Sequence, residues 1–549
     1  MSKLLPRVLL NRFFVLLLVC NCWSSLLIYS GLFRHDEARK RFSYIALDCM
    51  MDVISSMGVQ IIIISSYVND YIPSLKGFDF TIWYNDEWVA RALNEFQMLV
   101  VVSWADLASR TIFSIGLMLT TTNMKELLQY GARNEGLVTR FRPTSKNAVV
   151  DYDPIHTSSS TSSKPQVLRR LHSKKRGDDK KRLRGRFRRW MDPLAHVLFG
   201  LWGVVLLIVH IYASAQPTLP QCLMQVRPWA TTQPSCYLLG LDCYTLDIAG
   251  KKEEVSKKWS EFDSSTVVQL VIRHCPELEV PDLFSDFHKL RVIKVYNSTI
   301  QEWSESAAIT STNHPAMASM LIVRVNMTDG LLPAGFQSPD FPQTIFDIEI
   351  CITNIRELPE DLDTKWAPYA LIQFEYCQLT TVQPVLWRLQ PYYLALTGNP
   401  ITEIPAEVFE APSILYIGIG EMNIYELPWN VTQLSPQLSW IYISKTYISF
   451  FWPWVDELVE RMNGQVPSWF AGASTYCTDL EKIENGSADT FSVPMSPEYS
   501  TILMDPSEAN RQRILDAVIC DVAVEGLFYP LTFEDGLNAI SIAPPVLRP

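Results

Sequence analysis

The stretch LALTGNPITEIPAEVF, Leu394 to Phe409, decides how the second half of this 549-residue chain is read. Leu394 and Leu396 alternate, which puts both on one face of a short strand. Asn399 follows, then Ile401 and Ile404, and Pro405 ends the extended structure. One such turn has nothing against which to bury its apolar face, so companions are expected.

Companions recur along the chain. The positions of Leu394, Leu396, Asn399, Ile401 and Ile404 are matched by Ile293, Val295, Ser298, Ile300 and Trp303. They are matched again by Ile348, Ile350, Thr353, Ile355 and Leu358, and by Ile372, Phe374, Cys377, Leu379 and Val382. Two later sets are Ile417, Ile419, Met422, Ile424, Leu427 and Ile441, Ile443, Thr446, Ile448, Phe451. An earlier turn, Leu270, Ile272, Cys275 and Val280, has its fourth position shifted, and a turn near Val323 and Val325 fits poorly. The last position recurs every 22 to 29 residues, a leucine-rich-repeat spacing. The column Cys275, Ser298, Thr353, Cys377, Asn399, Thr446 carries small side chains that turn inward and satisfy backbone groups. In such a column Cys275 and Cys377 read as buried thiols rather than as metal ligands or nucleophiles.

The two halves of the chain differ in charge. Residues 1–215 carry 28 Lys+Arg against 17 Asp+Glu, whereas residues 216–549 carry 19 against 41. Eight of the 11 cysteines lie in the acidic half, compatible with disulfides in an oxidising compartment. So do all four N-x-S/T triplets, at Asn297, Asn326, Asn430 and Asn485, the expected glycosylation sites.

Four apolar stretches approach the roughly 20 residues that span a bilayer: 13–33, 44–68, 96–120 and 193–215. The loop before the last holds 18 Lys+Arg, which the positive-inside rule places in the cytosol. Residues 216–549 then lie outside, at the plasma membrane, extracellular or lumenal. Three spans, or a cleaved leader, are the competing topologies. The intramembrane charges Asp52, Asp106 and Arg110 are expected to be paired or functional, with Asp106 and Arg110 at ion-pair spacing. The expected order is therefore spans one to three in 1–122, a largely disordered basic loop in 123–192, and span four in 193–215. An N-terminal cap in 216–264, about eight repeats in 265–458 and a C-terminal cap in 459–549 follow. The fold class is an α-helical transmembrane region plus an α/β leucine-rich-repeat solenoid, with parallel strands on the concave face and disulfide-containing caps.

The outward positions of the concave strands are the candidate ligand surface: Arg273, Lys294, Tyr296, Arg324, Glu349, Gln373, Glu375 and Tyr442. Its N-terminal end is basic within an acidic domain, which suits an anionic or polar ligand. No catalytic motif is present and the eight histidines are scattered, so neither enzyme activity nor a cofactor or metal is expected. Beyond the repeats, 83–114 and 520–541 resemble a family of oomycete multi-span membrane proteins with a leucine-rich-repeat ectodomain. That resemblance implies topology and fold, and it brings no activity or residue roles. The expected function is a membrane-anchored receptor-like or adhesion protein binding an extracellular protein or glycan. Its other partners would be anionic lipid at the basic loop and a membrane co-receptor, with no nucleic acid. The alternative is a channel or transporter accessory subunit using the intramembrane charges.

Overall fold

The computed structural model describes residues 7–24, most of 43–101, scattered residues of 104–125, 194, 197–228, 233–462, 466–522 and 529–538. The basic loop, apart from Lys125, lies outside these residues. The chain forms two compact units, 1–71 with 94–216 and 72–93 with 217–549.

In the first unit, Val197–Ser214 is the one described helix long and apolar enough to cross a membrane, with mean hydropathy 2.1. Val8–Ser24 is a shorter apolar helix of 17 residues. The Trp23 indole donates to the Gly200 carbonyl at 3.3 Å. Gly203 leaves room for that ring, since a Cβ there would meet Trp23 Nε1 at 2.7 Å. Four helices of spanning length were expected. In the second stretch the described residues pass through a π turn, Ile54–Gly58, into the short helix Val59–Ser65. Parts of the first and third stretches lie outside the described residues.

The second unit is built on a 13-stranded sheet. We label its main strands β1 Cys222–Val226, β2 Ser235–Asp242, β3 Gln269–Arg273, β4 Val292–Glu302, β5 Ser319–Met327 and β6 Asp347–Thr353. They continue as β7 Leu371–Glu375, β8 Tyr393–Ala395, β9 Tyr416–Gly418, β10 Trp440–Tyr442, β11 Trp469–Phe470 and β12 Val518–Ile519. Each pairs with the next in chain order, with the short Leu278–Glu279 attached beside β4. Every pairing is parallel except β1 with β2. One inward row runs Leu239, Leu270, Ile293, Met320, Ile348, Ile372, Leu394, Ile417, Ile441 and Trp469. All of these side chains are fully buried, so the unit has one continuous core of the kind stacked repeats produce.

The ladder runs past both bounds drawn from sequence, since β2 lies within 216–264 and β11 and β12 lie within 459–549. The poorly fitting turn is also corrected. Met320 and Ile322 pair with Ile293 and Val295, so Val325 occupies the Ser298–Thr353 column. The outward positions there are Leu321 and Val323, not Arg324. The sequence MLIVRV is apolar at nearly every position, so alternation alone does not fix its phase.

Just before the hydrogen-bonding column lies a second column invisible in the sequence. His274, Asn297, Arg324, Ile352, Tyr376, Gly398, Glu421, Lys445 and Ala473 all have φ between 45° and 74°. Only Gly398 is glycine. Each other residue takes on roughly 1 kcal/mol of backbone strain to turn the chain out of the sheet. The neighbouring column offsets this. Asn399 Nδ2 donates to the Phe374 and Leu396 carbonyls at 2.6 and 2.7 Å, and its Oδ1 accepts from Leu379 N at 3.2 Å. Thr446 Oγ1 donates to Ile443 O at 2.7 Å, and Ser298 Oγ donates to Tyr296 O and accepts from Cys275 N. Asn399→Ala strands three buried backbone groups, so a loss of about 2–3 kcal/mol is expected in urea unfolding. A loss below half that would show that water replaces the amide.

Three disulfides close the ends: Cys222–Cys236, Cys243–Cys275 and Cys477–Cys520. Cys275 is therefore bonded rather than a thiol. The first repeat is stapled to β2's end because Cys243 immediately follows that strand. Cys377 is a buried free thiol.

Candidate functional site

Two outward rows line the concave face. One runs Lys294, Leu321, Glu349, Gln373, Ala395, Gly418, Tyr442. The other runs Arg273, Tyr296, Val323, Cys351, Glu375. An open solvated face was expected. Instead Lys294, Tyr296, Glu349, Gln373, Glu375 and Tyr442 are all buried, Lys294 and Glu375 at 0% exposure.

The covering comes from the chain itself. Residues 79–90 and 529–538, which lie outside the repeats, both belong to the second unit. Lys294 Nζ donates to Tyr84 O at 3.1 Å, to the Asp86 carboxylate at 3.1 Å and to Glu534 Oε2 at 2.8 Å. Burial alone would lower the Lys294 pKa, but Asp86 and Glu534 hold it above its ordinary value. Arg324 lies outside the outward rows, yet its guanidinium grips Asp535 with two bonds of 2.7 and 2.5 Å. The same carboxylate accepts from Tyr296 OH at 2.6 Å. Arg273 bridges Asp242, at 3.1 Å, and the Asn538 side chain. Gln269 donates to Asp86 at 3.1 Å.

Beside this basic end lies an acidic one. Tyr84 OH donates to Glu349 at 3.0 Å, and Tyr529 N donates to Glu375 at 3.0 Å. The rings of Tyr84 and Tyr529 meet edge-on at 4.9 Å. They pack with Tyr296, Leu321, Val323 and Cys351 into a small apolar cluster. Burial pushes the Glu375 carboxyl up to about 7 and the Glu349 carboxyl well above its ordinary value. Farther along, tyrosines close the face. Tyr393 and Tyr416 stack at 4.2 Å, and a Cβ on Gly420 would meet the Tyr442 ring at 2.2 Å.

The structure therefore brings together Arg273, Lys294, Tyr296, Arg324, Glu349 and Glu375, and adds Tyr84, Asp86, Tyr529, Glu534, Asp535 and Asn538. Gln373 and Tyr442 are buried on the same face. One signal for the additions was present in the sequence: Glu534 and Asp535 are adjacent carboxylates complementary to the basic strand end.

The remaining candidates are dispersed. Asn297 is buried, with Nδ2 3.1 Å from His274 Nδ1. Asn326 is half-buried, and Asn430 and Asn485 are exposed. In the first unit Arg110 Nε lies 3.2 Å from Asp106, and Asp52 accepts from Asn21 at 2.9 Å. A third polar group there escaped the sequence reading: Glu95, fully buried, holds Arg7 at 2.6 Å and Tyr67 OH at 2.8 Å.

No protein-family model matches the chain, and no curated protein matches it. Among solved structures, a leucine-rich-repeat protein of Leptospira interrogans is similar at 15% identity and a TM-score of 0.27, over 48% of this chain and 74% of that one. The repeat architecture rests on the strand ladder and its columns.

Proposed function

We infer that the chain is a membrane-anchored, receptor-like or adhesion protein without catalytic activity of its own. Its repeat unit faces the extracellular or lumenal side and recognises a protein or glycan ligand. Signalling passes through a membrane co-receptor, and the basic loop engages anionic lipid. One observation carries the reading: the concave face holds polypeptide by side-chain-specific contacts, with Lys294, Arg324 and Tyr296 each reading a carboxylate from outside the repeats. Val197–Ser214 and the three disulfides support an anchored domain in an oxidising compartment.

Two measurements test it. Glycosidase treatment of the full chain from cells should shift the bands that depend on Asn430 and Asn485 and leave Asn297 unmodified. If no site carries glycan, the topology fails. The full chain in nanodiscs is then screened against cell-surface proteins and glycans, and a screen without a single saturable ligand would sink the binding role.

A further inference from the structure

The segment 529–538 is bound in the manner of a ligand rather than of a repeat. It adds no strand to the sheet. It is read mainly through side chains: Glu534 meets Lys294, Asp535 meets Arg324 and Tyr296, and Asn538 meets Arg273, while the Tyr529 backbone N–H donates to Glu375 and its hydroxyl braces Glu534 within the segment. The receptor side supplies three cations and the segment supplies two adjacent carboxylates. The match is local, because the ectodomain around it is acidic overall. Arg324 and Asp535 keep 22% and 38% of their side chains exposed, so a competing carboxylate has a place to begin. The segment follows the Cys477–Cys520 disulfide in the chain, so that bond does not tie it down.

We propose that this end of the concave face is an acidic-peptide site, occupied in the resting protein by its own residues 529–538. The external partner is a protein segment with an aromatic residue followed, about five positions on, by paired carboxylates. Binding proceeds by displacement: the partner's carboxylates take Lys294 and Arg324, and the internal segment leaves. The internal copy acts at the high effective concentration of a tethered ligand, so it sets a threshold that a partner must exceed. The proposal rests on the ligand-binding reading above and narrows its ligand to acidic peptide.

The probe is a labelled peptide YPLTFEDGLN, with YPLTFQNGLN as control, against the full chain in nanodiscs. A variant carrying Glu534→Gln and Asp535→Asn weakens the internal copy and leaves the receptor side intact. The native peptide should bind this variant at least 10-fold more tightly than it binds wild type, and at least 10-fold more tightly than the control peptide binds. Adding Arg324→Ala should abolish the gain. To guard against a variant that misfolds, a second form carries a protease site within 523–528 and is cut after folding. Its released segment should exchange with native peptide and not with control. Equal binding of both peptides, or no exchange in the cut form, overturns the proposal. A nanodisc screen that yields a saturable ligand while the peptide fails would leave the binding role standing and remove the acidic-peptide site. If that ligand is a glycan, the concave site is likewise overturned as its receptor.

Discussion

Glu375→Gln flattens the pH dependence of the repeat unit and raises its stability at pH 8 by up to about 3 kcal/mol. The reason lies in where β7 puts this carboxyl. It is fully buried, it accepts from Tyr529 N and the Cys351 thiol, and burial lifts its pKa from 4.5 to about 7. A raised carboxyl means that the folded state binds a proton the unfolded state has released. Its contribution is fully present below pH 4.5 and is lost as pH rises through about 7. Glu349, also raised by burial, adds a term of the same sign. Carboxylates held low at the rim, such as Asp363 beneath Arg388, act in the opposite direction, but only as pH falls below their ordinary range. Burial holds the His314 imidazole down to about 4, which acts in the opposite direction below pH 6.5. Between pH 6.5 and 8 the wild-type urea midpoint should therefore fall as pH rises, and the Gln variant should show the shallower slope. Equal slopes would mean that Glu375 is solvated, and with it the covering by Tyr529.

The contrast between what was readable and what was not follows from range. The inward rows were readable because burial imposes period two on every strand, and most of the eight turns found in the sequence repeat it. Asn399 and Thr446 were readable as scaffold because a small hydrogen-bonding side chain recurs at one offset from each strand. The left-handed column was not, because His, Asn, Arg, Ile, Tyr, Glu, Lys and Ala share no property at that offset; the backbone geometry there is imposed by the stack. The pairing of Cys243 with Cys275 was hidden for a related reason: Cys275 stood in a structural column and was read with it. The strand pairing puts the outward residues from Arg273 to Tyr442 in two rows, apart from Arg324 in the MLIVRV turn. Their covering was missed because it joins residues 79–90, 265–375 and 529–538, separated by hundreds of positions and by no repeat. Charge complementarity is the only local trace such a contact leaves.

Lys294 is where that long-range contact concentrates, and its removal should have the largest effect of any single change. Its ammonium is wholly buried between Asp86 and Glu534, and Glu534 is itself at 0% exposure. Lys294→Met preserves the length and the apolar stem but leaves two carboxylates facing each other without a counter-charge. Breaking a buried pair in this way costs about 3–5 kcal/mol. The loss should not be uniform in pH. Burial already raises the Glu534 pKa, and Lys294 opposes that rise; without the lysine it climbs further. Protonated Glu534 needs no cation, so the variant should recover part of its stability at pH 5 and lose most at pH 8. Adding Glu534→Gln removes one of the uncompensated charges. The double variant should then be more stable at pH 8 than Lys294→Met alone, with a coupling of roughly 2 kcal/mol between the two sites. A loss that is the same at both pH values, or a coupling near zero, would assign the role of Lys294 to packing. The charged contact would then be a consequence of closure by 529–538 rather than its cause.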